Sequence, residues 1–295
     1  MPRAATAASS SSLPSPSPLP ATATKPPPVM TTAFPPTMPL DQADGLRRLF
    51  AHAQVRFVPV VSNPHMAFGG VMLERLCSGF AEQGCHTLVI DAGENAPEPN
   101  EIAQVDLAEC IETLSPEVSY LGARGLPLRY VDAQGSTAGF LNAVGRVAPG
   151  ADVVLVHASA SELCRLFSRH DIGAQPNHRP RPLLLADDRP VSVTHAYAAM
   201  KLLTQRAGLL VHDLLLSAAP SSPRSERIAM QIATCADDFL GAVLRDWVQV
   251  DPASDPRSAS TPALQRWVRD TLQPAWAELA AMRPAMAAPS LRALN

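Results

Sequence analysis

The sequence predicts an α/β fold, a mostly parallel sheet flanked by helices on both faces. Three observations carry that expectation. Short, mostly apolar runs recur along the chain, as in 55–62, 87–91 and 152–156, and a strand that is apolar on both faces has to be covered on both. Between these runs lie segments whose apolar residues repeat every three or four positions, such as Leu73, Leu76, Cys77 and Phe80. With 46% apolar and 17% charged residues among 295, the chain can fill one sizeable core.

The elements follow in order. Residues 1–40 hold eleven prolines, two basic residues and no acidic one, so no apolar face can form and a disordered Pro/Ser-rich tail is predicted. It has neither the apolar stretch of a secretory signal nor the repeated arginines of a transit peptide. Residues 41–52 read as a short helix: Asp41 is an N-cap, Asp44 complements the dipole, Arg47 and Arg48 sit toward the other end, and Leu46, Leu49 and Phe50 share a face. Such a capped helix suits a groove in another protein, or docks on its own domain. The main domain is placed at 55–250. It begins with a strand at 55–62, a loop containing Gly69 and Gly70, a helix at 71–83 and a strand at 87–91, together a βαβ unit.

Alternation then predicts a helix at 107–114, a strand at 128–131, a helix at 138–147 and a strand at 152–156. Beyond these come a strand at 183–185, a helix at 193–205, a strand at 209–216 and a helix at 227–244. A turn-rich linker covers 251–262 and a helical tail 263–295. In that tail Trp267, Val268, Leu272, Trp276 and Leu279 cover about half a helical circumference, which fits docking on the protein's own core or weak membrane contact through residues 264–279.

Composition excludes several classes of function. The net charge of −3 and pI near 6.2 offer no basic footprint for nucleic acid. Mean hydropathy is near zero, and the longest apolar run, 209–219, is broken by His212 and Asp213, so a spanning helix is not expected. Five cysteines without a CxxC pair indicate a reduced cytoplasm, and eight histidines without metal-ligand spacing give no metal site. Of 24 basic residues only Lys25 and Lys201 are lysines, one in the tail and one in a helix with no glycine loop before it. Chemistry that needs a lysine beside a phosphate therefore has no suitable residue. Gly135-Ser136-Thr137-Ala138-Gly139 lacks the Gly-x-Ser-x-Gly order and reads as a serine-capped turn into a helix.

Asp41-Gln42-Ala43-Asp44-Gly45-Leu46-Arg47, followed by strand, loop, helix and strand, resembles the Asp-Gln-Ala-x-x-Leu-Arg motif of the flagellar-number regulators FlhG/FleN, a branch of the MinD/ParA-like ATPases. Residues 190–201 are similar to that family's Pro-Thr-Ala-Ile-Thr-Asp-Ala-Tyr-Ala-Leu-Ile-Lys, and Asp238-Phe239-Leu240-Gly241 to its late helix. The resemblance spans about residues 38–250 and implies a P-loop NTPase fold. The family's loop, Ser-Gly-Lys-Gly-Gly-x-Gly-Lys-Thr, falls on residues 62–70, because its threonine lies as far before its strand-end aspartate as Gly70 lies before Asp91 (91 − 70 = 21).

On that placement Ser62 survives, Pro64 and Gly69 replace the two lysines, Gly70 replaces the hydroxyl that ligates Mg²⁺, and Met66 and Phe68 replace glycines. His157 stands where the family has a Mg²⁺-linked aspartate and Ser217 where it reads adenine with asparagine; Asp91 is retained. The resemblance therefore implies a pseudo-ATPase with no catalytic residue in its own domain and no cofactor, ATP with Mg²⁺ being the alternative. It also implies a partner, the signal-recognition-particle-type GTPase FlhF: Gln42 would act at the partner's GTP site, Leu46 and Arg47 would anchor the helix, and Asp41 would cap it. Flagellar C-ring proteins are the partners of a scaffold alternative. A cytoplasmic location with transient visits to the membrane or cell pole is expected, and the oligomeric state stays open.

Overall fold

The chain divides into two units, 1–50 and 51–295. The structure, a computed structural model, describes residues 55–99, 106–167, 180–255 and 258–273, all in the second unit. The expected tail at 1–40, the helix at 41–52 with Asp41, Gln42, Leu46 and Arg47, and the end of the chain with Trp276 and Leu279 lie outside the described residues.

An eight-stranded sheet organises the described residues. Its strands are β1 (Arg56–Val61), β2 (Thr87–Ala92), β3 (Glu112–Ser115), β4 (Val118–Gly122), β5 (Val153–Ala158), β6 (Leu183–Asp187), β7 (Val211–Ser217) and β8 (Val243–Val250). They lie in the order β3-β4-β2-β5-β1-β6-β7-β8, and every pairing is parallel except β3 with β4. The fold is thus α/β, with a mostly parallel sheet covered on both faces. Strand β5 is inserted between β1 and β2, so the ends of these three strands meet at the carboxyl edge.

Alternation along β5 shows how the sheet is covered. Val154 and Val156 join a core under α2 (Ala138–Val147), α3 (Ala160–Leu166), α4 (Pro190–Leu202) and α5 (Ser225–Leu240), with Phe140, Leu163, Met200 and Ile232. Val153 and Leu155 join the opposite core under α1 (Gly69–Ala81) and α6 (Pro262–Leu272), with Met72, Leu76, Phe80, Leu264 and Trp267. Each fully buried Leu, Val or Phe contributes roughly 1.5–3 kcal/mol relative to exposure. The two helices of the second face approach closely at Gly79, where an added Cβ would stand 3.1 Å from Val268 Cγ2. Helix α6 starts at Thr261, whose hydroxyl accepts the Leu264 N–H (3.3 Å), and its last carbonyls receive the Arg56 guanidinium, with 2.8 Å to Gln273 O.

Several predicted elements differ. The helix expected at 107–114 is a single 3-10 turn, Ala108–Cys110, followed by the β3–β4 hairpin. Pro116 stops a helix there, and the Ser115 hydroxyl accepts the Glu117 N–H across the turn (3.3 Å). The strand expected at 128–131 is a 3-10 helix, Leu126–Tyr130, opened by Gly125 at φ 72° and Pro127 in its first turn. The helix expected at 227–244 ends at Leu240, because Gly241 takes φ 59°, and the chain continues as β8. The short α3 was not anticipated; Ser159 caps it with Glu162 three residues on.

In α6, Leu264, Trp267 and Val268 are buried against the core, so these residues of the 264–279 stretch are committed to packing. Among the described residues, no helix is long and apolar enough to cross a membrane.

Candidate functional site

Ligands of open α/β sheets bind at the carboxyl edge, where loops leave the strands. Here the loop after β1 runs from Ser62 to Phe68 and leads into α1, so Gly69 and Gly70 are the first residues of that helix. Asn63 sets its shape. That side chain is 8% exposed, and its Nδ2 donates to the carbonyls of Leu185 (2.9 Å) and Ser192 (3.0 Å) and reaches Ser192 Oγ at 3.0 Å. Its Oδ1 accepts the His65 N–H at 3.1 Å. Two further loop amides are consumed internally, Ser62 N–H by Ala158 O (2.8 Å) and Met66 N–H by Asn63 O (3.0 Å).

The side chains of the loop divide by polarity. Met66 turns inward into the core under α1, whereas Pro64 and His65 are exposed and Phe68 is 52% exposed. A phosphate cradle instead needs convergent amides and close backbone approach, which glycines permit.

Arg189 closes the loop from the β6 side. Its guanidinium is held by Asp187 Oδ2 (Nε 3.0 Å, Nη2 2.7 Å) and donates to the His65 carbonyl as well. Burial works against the Asp187 charge, but the Arg189 bonds hold its carboxyl below the ordinary range. Beside this clasp the His65 and His195 rings meet edge-on, with centroids 5.5 Å apart. Burial, reinforced by the neighbouring His65, lowers the His195 pKa.

Asp91 and His157 stand opposite each other in register on β2 and β5. His157 Nδ1 donates to Asp91 Oδ1 at 2.8 Å, Gly93 N–H reaches the same oxygen at 3.1 Å, and the Tyr120 hydroxyl donates to Oδ2 at 3.3 Å. Burial opposes the charge on Asp91, yet the His157 bond and charge, with the two other donors, hold its pKa below normal. Tyr120 moves the other way, up to about 12, through burial and then the adjacent carboxylate. Gly93 is required for this packing, because a Cβ there would lie 3.1 Å from both Asp91 Oδ1 and His157 Cε1.

The expected loop residues are only partly gathered. Asp91, His157 and Ser62 end three neighbouring strands. Ser217 is buried at the end of β7, three strands away from β5. Lys201 lies in the last turn of α4, about 16 Å along the helix from Pro190 at the carboxyl edge. Among the described residues, no group of three or more His, Cys, Asp or Glu is arranged to hold a metal ion. The donors at this edge do not match a magnesium nucleotide: among the described residues no lysine reaches it, and the Asp91 carboxylate is bonded to an imidazole.

Sequence reasoning missed Arg189, Ser192, Tyr120 and the anchoring role of Asn63. Tyr120 lies on β4, Arg189 just before α4 and Ser192 within it, and only the Asp187-x-Arg189 spacing hints at the clasp.

No protein-family model and no curated protein sequence matches the chain. Solved structures do. MinD in the MinC:MinD cell division complex of Aquifex aeolicus is similar at 13% identity and a TM-score of 0.48, covering 78% of this chain and 98% of that one. A plasmid partition protein from Borrelia burgdorferi matches at 9% identity and 0.45, covering 77% and 100%. The ATP complex of McdA from Cyanothece matches at 12% and 0.49, covering 74% and 96%.

Proposed function

We propose that this chain is a divergent MinD/ParA-type protein of the FlhG/FleN branch that regulates flagellar number or placement without turning over nucleotide itself. The observation that carries the reading is the Asp91–His157 pair. In an ATP site of this layout the two strand ends would present acidic groups to Mg²⁺ and its water; here one is an imidazole, and the two groups satisfy each other at 2.8 Å. Phosphoryl transfer depends on cations and donors aimed at the developing charge, so a site with no lysine among the described residues and with its carboxylate engaged loses most of that stabilisation.

The chemistry that remains intact is in the N-terminal motif. Gln42 orients the attacking water at the GTP site of the SRP-type GTPase FlhF, while Leu46 and Arg47 hold the helix in the partner's groove and Asp41 caps it. This role needs placement rather than a shifted pKa. Flagellar C-ring proteins are further candidate partners.

The test is GTP hydrolysis by the cognate FlhF-type GTPase, alone, with the full chain, and with Gln42→Ala. Stimulation by the native chain that disappears in the variant, with partner binding retained, is the expected result. Binding without stimulation would replace the activator role by a scaffold role, and absence of both would remove the flagellar assignment.

A further inference from the structure

The amino edge of the sheet holds a second charged cluster that the proposed function leaves unused. Asp213, on β7, is 2% exposed and faces α6. Its Oδ2 accepts the indole N–H of Trp267 at 3.0 Å and lies 3.8 Å from Arg181 Nε, whereas its Oδ1 has no hydrogen-bond partner. Trp267 is the central anchor of α6: it is 1% exposed and its ring meets Phe80 of α1 edge-on, centroids 6.1 Å apart.

Arg181 is the cation nearest Asp213, and it is shared. From ahead of β6, Arg181 is shared with Asp270 of α6 (3.2 Å). On β8, Arg245 also pairs with Asp270 (3.1 Å), and Asp246 pairs with Arg266 of α6 (3.1 Å). His212, the neighbour on β7, bonds Thr204 (3.1 Å) and so belongs to the opposite core. Arg181 thus divides its charge between Asp213 and the closer Asp270, Arg245 and Arg266 pair with Asp270 and Asp246, and ionised Asp213 is a charge held almost wholly out of water with one shared partner.

We propose that Asp213 makes the docking of α6 pH-sensitive: protonated, it seats Trp267 as a neutral acceptor, and ionised, it loosens the helix. Burial raises Asp213 to about 7, with Asp246 and Asp270 adding to the rise and the Trp267 bond opposing it. With α6 released, the carboxyl returns toward its ordinary 3.8. The docked state thus holds the proton more tightly. Docking is strongest below the ordinary value, weakens by up to about tenfold per pH unit in between, and levels off above about 7.

Hydrogen–deuterium exchange on the full chain, corrected for intrinsic rates, tests this. Between pH 5 and pH 7 the protection of residues 262–272 is expected to fall about 10- to 100-fold. Protection of α5 stays within a few-fold, because His212 titrates in the opposite sense and offsets Asp213 in global unfolding. Asp213→Asn keeps an acceptor for the indole and should flatten the α6 response. Should that variant fail to fold, ¹³C carboxyl titration of Asp213 in the native chain replaces it, with a midpoint near 7 expected. Constant α6 protection, an equal loss in α5, an unchanged response in Asp213→Asn, or a midpoint in the ordinary carboxyl range would each overturn the proposal.

Discussion

Replacing Asn63 by alanine removes the fastening of the loop that stands where a phosphate cradle would be. The side chain makes three donor contacts through two hydrogens and accepts one amide, so one donor hydrogen is shared. Leu185 and Ser192, whose carbonyls it serves, are 1% and 0% exposed, and water cannot readily take its place. Counting about 1 kcal/mol for each net hydrogen bond and more for a buried carbonyl left bare, the loss is roughly 2–4 kcal/mol. For a domain of this size that lowers Tm by about 5–15 °C. Urea unfolding at pH 7 measures it, with the m-value as a check that the unfolded reference has not changed. Asn63→Asp should lose at least as much, since it keeps the acceptor for His65 but turns carboxylate oxygens toward two carbonyls. A loss below about 1 kcal/mol in both variants would refute the reasoning, because the loop would then hold its shape without this side chain.

Two further outcomes follow from the titrating groups. The Asp91 pKa is depressed in the folded chain, so its contribution is present above the ordinary carboxyl range and is lost as pH falls through the folded value. His157→Ala should lower stability at pH 7 by roughly 1–3 kcal/mol and flatten the acid limb of the urea midpoint; an unchanged limb would contradict it. His212, pushed down to about 4 by burial, stabilises the fold fully above its ordinary 6.5 and loses that contribution as pH falls toward 4. His212→Leu should therefore be near neutral at pH 7 and more stable than the native chain at pH 5, the reverse order being the contrary result.

Much of the fold was legible because β2, β5 and β6 and the later residues of β1 and β7 are buried and appear as short apolar runs. The edge strands carry no such signature. Strand β8 has only Val248 and Val250 buried, its other residues being exposed or half-exposed, and it follows a helix closely enough to read as its continuation. The β3–β4 hairpin is short, and Thr113 and Leu114 are exposed at its edge. At the carboxyl edge, the strand ends bring Asp91 and His157 together as the sequence suggested, while the stretch expected as loop at 62–70 is loop only as far as Phe68. What fastens the loop was illegible, because the Asn63 contacts join residues more than 120 positions apart and depend on how α4 meets the sheet.

The central claim, that this edge is built to hold itself rather than a nucleotide, is tested most directly by titrating the full chain with ATP in the presence of Mg²⁺ by calorimetry. The expected result is no saturable binding tighter than about 1 mM. Micromolar binding that requires Mg²⁺ and is lost in Asp91→Asn would contradict it, and would make the chain a nucleotide-binding protein with an unconventional loop.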